Sequence, residues 1–124
     1  MLNGLRILVV EDEALVALEL ATSIEEMGGC TIGPVARVAD GIVALQTEAI
    51  DAAILDANLL DGNVTPIAEI LLRSGVPFVI HTGTGPPADL ANRHPDLPLV
   101  MKPAEPEVVI SELLKQVSGP SRLL

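Results

Sequence analysis

Short apolar runs of strand length alternate with segments of helical period five times along the chain. Few folds accommodate this alternation. Strands linked through helices must lie parallel, and the helices then cover both faces of the sheet. Residues 7–10 read as the first strand. Residues 14–27 follow as a helix with Val16, Leu20, Ile24 and Met27 inward, stopped by Gly28-Gly29. A second strand is expected over 31–33, closed by Pro34, and a second helix over 39–48 with Ile42, Leu45 and Ala49 on its core face. Residues 52–55 form the third strand, and the loop "DANLLDGN" follows it.

Thr65-Pro66 signals a helix start, a hydroxyl N-cap with proline at the first helical position. Ile67, Ile70 and Leu71 face its core, and Gly75 ends it. The fourth strand is read at 78–81. Pro86, Pro87, Pro95 and Pro98 then leave room for at most two helical turns, so the fourth helix should be short and mobile. Residues 99–101 are the fifth strand, and 105–117 the last helix, with Ile110, Leu113, Leu114 and Val117 inward. The expected architecture is α/β, a doubly wound five-stranded parallel sheet. Residues 1–118 form one domain, with 119–124 as a frayed C-terminal tail.

Composition narrows the function. The formal net charge of −10 disfavours nucleic acid and anionic membrane, which reward clustered Lys and Arg. With Phe78 the one aromatic residue, base-stacking platforms are also missing. No apolar run reaches the ~18 residues needed to cross a bilayer, and the N-terminus lacks the pattern of a secretion signal. The single cysteine, Cys30, suits a reducing cytoplasm and reads as a small core residue. A cytoplasmic location is expected.

In open parallel sheets, ligands bind at the carboxyl ends of the strands, where the strand order reverses. Glu11 and Asp12 follow the first strand, Asp56 the third, Thr82 the fourth and Lys102 the fifth. With the order 2-1-3-4-5, three carboxylates converge on one crevice. Asp12 also suits a helix cap, with Glu13 in the first turn. Convergence is the harder feature to explain without a ligand. Two carboxylates ~4 Å apart repel by about 4 kcal/mol at an effective dielectric of ~20. Such a cluster calls for a cation. Oxygen-only donors point to a hard ion, and Mg²⁺ fits best. A carboxylate in that setting can attack a phosphoryl group, with the Lys102 ammonium and the Thr82 hydroxyl meeting its oxygens.

The order and spacing of "VVEDE", "ILDANLLDG", "HTG" and "MKP" resemble the receiver domain of two-component response regulators over nearly the whole chain. The resemblance implies a flavodoxin-like (βα)5 fold. It also implies that Asp56 is the phosphoacceptor, charged from a phosphohistidine on a histidine kinase or a histidine phosphotransfer protein. Glu11 and Asp12 match the acidic pair; Asp12, Asp56 and the main-chain carbonyl of Asn58 would ligate Mg²⁺. Thr82 matches the switch hydroxyl and Lys102 the phosphoryl-contacting lysine, with a cis bond to Pro103. Asn58 and Thr84 fall where the family tunes dephosphorylation. One position departs from the pattern: Leu99 stands where receivers usually carry a switching Tyr or Phe.

The resemblance therefore implies a phosphoacceptor signalling domain rather than an enzyme, with output through a downstream protein partner. Whether it stands alone or is cut from a hybrid kinase or multidomain regulator stays open. Two other readings stay open as well. One is a Mg²⁺-dependent phosphohydrolase with an aspartyl nucleophile, although such enzymes often carry Asp where Asn58 stands. The other is a degenerate receiver that only binds a partner. His81 and His94 read as structural or solvated residues.

Overall fold

A computed structural model of the chain describes residues 2–117. Ser118 and the tail expected at 119–124 lie outside the described residues. The main sheet contains β1 (Arg6–Val10), β2 (Cys30–Val35), β3 (Ala52–Leu55), β6 (Phe78–Thr82) and β7 (Leu99–Met101). All are parallel, in the order β2-β1-β3-β6-β7. The five expected strands thus take the order 2-1-3-4-5. The helices are α1 (Ala14–Glu26), α2 (Val38–Thr47), α3 (Thr65–Ser74), α4 (Ala88–Arg93) and α5 (Pro106–Val117).

Each face of the sheet carries its own core. Leu8, Val10, Ala53, Leu55 and Ile80 pack against Ala44, Ile67 and Leu71 of α2 and α3. On the other face, Ile7, Val9, Ile54 and Val79 pack against Leu20 and Ile24 of α1 and Val109, Ile110 and Leu113 of α5. Central strands covered on both sides need apolar side chains on both faces, which is why residues 7–10, 52–55 and 78–80 read as unbroken apolar runs.

Several local expectations are corrected. The second strand does not close at Pro34 but runs through it to Val35. It lies at the sheet edge, where a missing N–H leaves no partner unpaired. Gly33 takes φ 89° there, and the register against β1 shifts between Leu8 and Val10. Cys30 is only half-buried, with its Sγ 3.9 Å from an Arg6 guanidinium nitrogen. The loop after β3 contains a two-residue hairpin, β4 (Asn58–Leu59) with β5 (Gly62–Asn63).

Two helix starts are capped from elsewhere. Thr65 does not cap α3. The N-cap is Val64, and Asn63 Oδ1 accepts the Thr65 N–H at 2.9 Å. Helix α2 begins at Val38 because the Asp61 carboxylate accepts the N–H groups of Val38 and Ala39, at 2.6 and 3.2 Å. These bonds hold the Asp61 carboxyl below its ordinary range, the Val38 N–H contributing most. Helix α2 stops at Thr47, so Ala49 lies beyond it and is exposed; Ile42 and Leu45 pack against the core as expected, with Gly41 and Ala44 buried beside them. A Cβ at Gly41 would sit 2.5 Å from Ile67 Cδ1, which explains a glycine inside this helix.

Candidate functional site

Parallel pairing brings the ends of β1, β3, β6 and β7 to one rim. The Asp56 N–H donates to the Val10 carbonyl at 2.8 Å, and the Lys102 N–H donates to the Thr82 carbonyl at 2.8 Å. These bonds extend the ladders one residue past the strands and set the side chains of Asp56 and Lys102 at the crevice. Glu11, Asp56 and Thr82 are buried, and Lys102 is half-buried.

The Lys102 ammonium organises the acids. It lies 2.6 Å from Glu13 Oε1, 3.0 Å from Glu11 Oε1 and 3.4 Å from Asp56 Oδ2. Burial works against its charge, but the bonds to Glu13 and Glu11 outweigh that and hold its pKa above the ordinary lysine value. Glu11 responds oppositely. Burial pushes its carboxyl from 4.5 up to about 7; the Glu13 N–H, donating at 3.0 Å, and Lys102 oppose the rise, and Asp56 adds to it. One ammonium does not satisfy this cluster.

Asp12 completes it. Glu11, Asp12, Glu13 and Asp56 each offer a carboxylate oxygen, and these oxygens all lie within 4.8 Å of one another. Asp12 is not a helix cap: the N-cap of α1 is Glu13, without a side-chain bond. The donor set is all carboxylate oxygen and underneutralised by Lys102. That fits a hard divalent cation such as Mg²⁺.

Thr82 is 1% exposed, and its Oγ1 accepts the Thr84 N–H at 3.1 Å. The hydroxyl of Thr84 lies 3.3 Å from that of Thr82 and accepts a bond from the Asn58 amide at 2.9 Å. Asn58 and Thr82 are therefore linked through Thr84. The Lys102–Pro103 bond is cis, as is Gly33–Pro34. Leu99, in the position of the missing aromatic, is 37% exposed on the edge strand β7.

Glu13 is the member of the cluster that sequence reasoning did not assign to it. It was expected in the first turn of the helix, yet it makes the shortest contact to Lys102. Only the adjacency of three acids in "EDE" hinted at its part.

No protein-family model matches the chain, and no curated protein matches it. Solved structures do. The chain is 36% identical to SdrG from Sphingomonas melonis Fr1 over 92% of its own length and 99% of that chain, with a TM-score of 0.73. It also matches a response regulator receiver protein from Sinorhizobium medicae WSM419 at 21% identity, covering 96% and 98% of the two chains, TM-score 0.82. The non-phosphorylated HemR receiver domain from Leptospira biflexa aligns at 23% identity over 93% and 95%, TM-score 0.78. The latter two share the fold, and SdrG shares more than a third of the sequence from end to end. With acids, hydroxyl and lysine at the strand ends that the receiver motifs prescribe, this chain belongs to the receiver-domain family of response regulators.

Proposed function

We propose that the protein is a phosphoacceptor. Asp56 takes a phosphoryl group from a phosphohistidine on a histidine kinase or a histidine phosphotransfer protein, and the resulting change is read by a downstream protein partner. The observation that carries this is the crevice itself: a buried Asp56 facing the Lys102 ammonium, inside a ring of carboxylates short of positive charge. The description of the HemR relative as non-phosphorylated supports the same chemistry.

In the transfer, an Asp56 carboxylate oxygen forms a bond to phosphorus as the phosphorus–nitrogen bond of the donor breaks, leaving an acyl phosphate. Lys102 is held at the site by Glu11 and Glu13, so its ammonium is in place before the additional negative charge arrives. Thr82 already accepts the Thr84 N–H, which leaves its hydroxyl proton to donate to a phosphoryl oxygen. Mg²⁺ would be held by Asp12, Asp56 and the Asn58 carbonyl with Glu11 behind them, and when bound it supplies positive charge against the phosphoryl oxygens. The domain acts in signalling rather than as a turnover enzyme, and a cytoplasmic location suits such partners.

Amide NMR with stepwise addition of Mg²⁺ and beryllium fluoride, a phosphoryl mimic, tests the reading. Shifts at Asp12, Asp56 and Asn58 with Mg²⁺, spreading to Thr82, Thr84 and α4 with the mimic, are expected. No response to either addition would count against it.

A further inference from the structure

An ammonium has three N–H donors, and the Lys102 ammonium already gives its donors to carboxylates. Glu13 Oε1 accepts at 2.6 Å, Glu11 Oε2 at 3.2 Å and Asp56 Oδ2 at 3.4 Å. A phosphoryl group on Asp56 would therefore meet a lysine with no donor in reserve. One bond has to be given up, and the surroundings of the acids decide which. Asp56 is the residue that carries the new group. The Glu11 side chain is 2% exposed, so without the ammonium its charge would stand uncompensated inside the protein. The Glu13 side chain is 59% exposed, and water can replace the bond it loses.

The backbone around Glu13 suits such a release. Its N–H donates to Glu11 Oε2 at 3.0 Å, which fixes the root of the side chain beside the crevice. Glu13 is also the N-cap of α1, in extended conformation, yet its side chain makes no bond to the helix. Among the described residues its carboxylate bonds Lys102 alone. An anchored backbone with a solvent-facing carboxylate lets this contact open without disturbing the fold. We infer that Glu13 is a positioning residue that holds Lys102 in reserve and competes with the phosphoryl group for it. Phosphorylation would turn a Lys102 N–H from Glu13 to a phosphoryl oxygen, while Glu11 keeps its hold on the ammonium. Glu13 thereby subtracts from the attraction that the lysine offers a phosphoryl group. This inference rests on the phosphoacceptor reading and adds the residue that restrains it.

The test titrates the full chain, at saturating Mg²⁺, with beryllium fluoride. NMR follows the Glu13 carboxyl carbon and the Lys102 ε-methylene. Binding should move both signals, the lysine's because it gains a partner and the glutamate's because it loses one. Glu13→Gln keeps the shape and removes the charge, and should tighten the mimic about fivefold, the upper end of what an exposed ion pair contributes. Glu19→Gln removes the same charge from a residue lining the same cavity as Glu13 and Lys102, and should change the affinity less than about twofold. A Glu13 signal unmoved in the bound wild type would overturn the inference and leave the phosphoacceptor reading standing. So would Glu13→Gln binding no tighter than wild type, or equal tightening by Glu19→Gln. The wild-type Glu13 signal decides the matter by itself should the variant fold poorly. Absence of any wild-type binding would overturn the phosphoacceptor reading and this inference together.

Discussion

The Lys102 ammonium stands 3.4 Å from Asp56 Oδ2 but 2.6 Å from Glu13 Oε1. The lysine is thus held mainly by Glu13 and Glu11, and Asp56, the proposed phosphoacceptor, remains the least committed of its three partners. That arrangement positions a cation beside Asp56 without committing the Asp56 carboxylate to it.

Lys102→Ala should leave Asp56 able to accept a phosphoryl group while uncoupling that event from the conformational response. Phosphorylated variant protein is expected to lack the distal NMR shifts, at Thr82 and α4, that the wild type shows. An unaltered shift pattern would show that Lys102 has no part in the coupling.

Glu11 sets a pH dependence. Its folded-state pKa, about 7, lies above the unfolded value of 4.5, so its contribution to stability is fully present below 4.5 and lost as pH rises through about 7. Glu11→Gln keeps the neutral form at every pH. Without metal, denaturant unfolding should therefore find the variant about 1–3 kcal/mol more stable than wild type at pH 8, with the gap closing towards pH 4.5. Mg²⁺ should narrow the difference at pH 8 by stabilising the ionised wild type.

His81 acts in the opposite direction. Burial first, and Lys102 second, lower its pKa below 6.5, so the folded state resists protonation and stability falls as pH drops below 6.5. Glu11 masks this slope in the wild type. In the Glu11→Gln background the loss should be visible by denaturant unfolding between pH 6.5 and 5, and adding His81→Val should flatten it.

How much of this was legible in the sequence follows from which interactions are local. The five strands and the strand-end residues Glu11, Asp12, Asp56, Thr82 and Lys102 could be read directly, because the central strands carry apolar runs and the polar residues at their carboxyl ends meet at one rim. The helix starts could not be read as reliably. The cap of α2 comes from Asp61, 23 positions away, and that of α3 from Asn63, which displaced the more familiar Thr65 signal. Pro34 suggested a strand end, yet an edge strand tolerates it. Gly41 resembled a turn signal, but its role is a close approach of α2 and α3 that no local pattern reveals.

That contact makes its own prediction. Gly41→Ala and Ile67→Val should not be additive, since the second removes the Cδ1 atom that the first would strike. A double-mutant cycle by denaturant unfolding should give a favourable coupling of about 0.5–2 kcal/mol. Strict additivity would mean that Ile67 simply moves aside.

The most direct test of the central claim is to locate the phosphoryl group. The protein would be incubated with Mg²⁺ and either a phosphorylated histidine phosphotransfer protein or acetyl phosphate, and analysed by intact mass and peptide mapping. One phosphoryl group on Asp56, released by hydroxylamine and absent from Asp56→Ala, is the predicted result. Equal labelling of Asp56→Ala, or no labelling of the wild type by either donor, would contradict it.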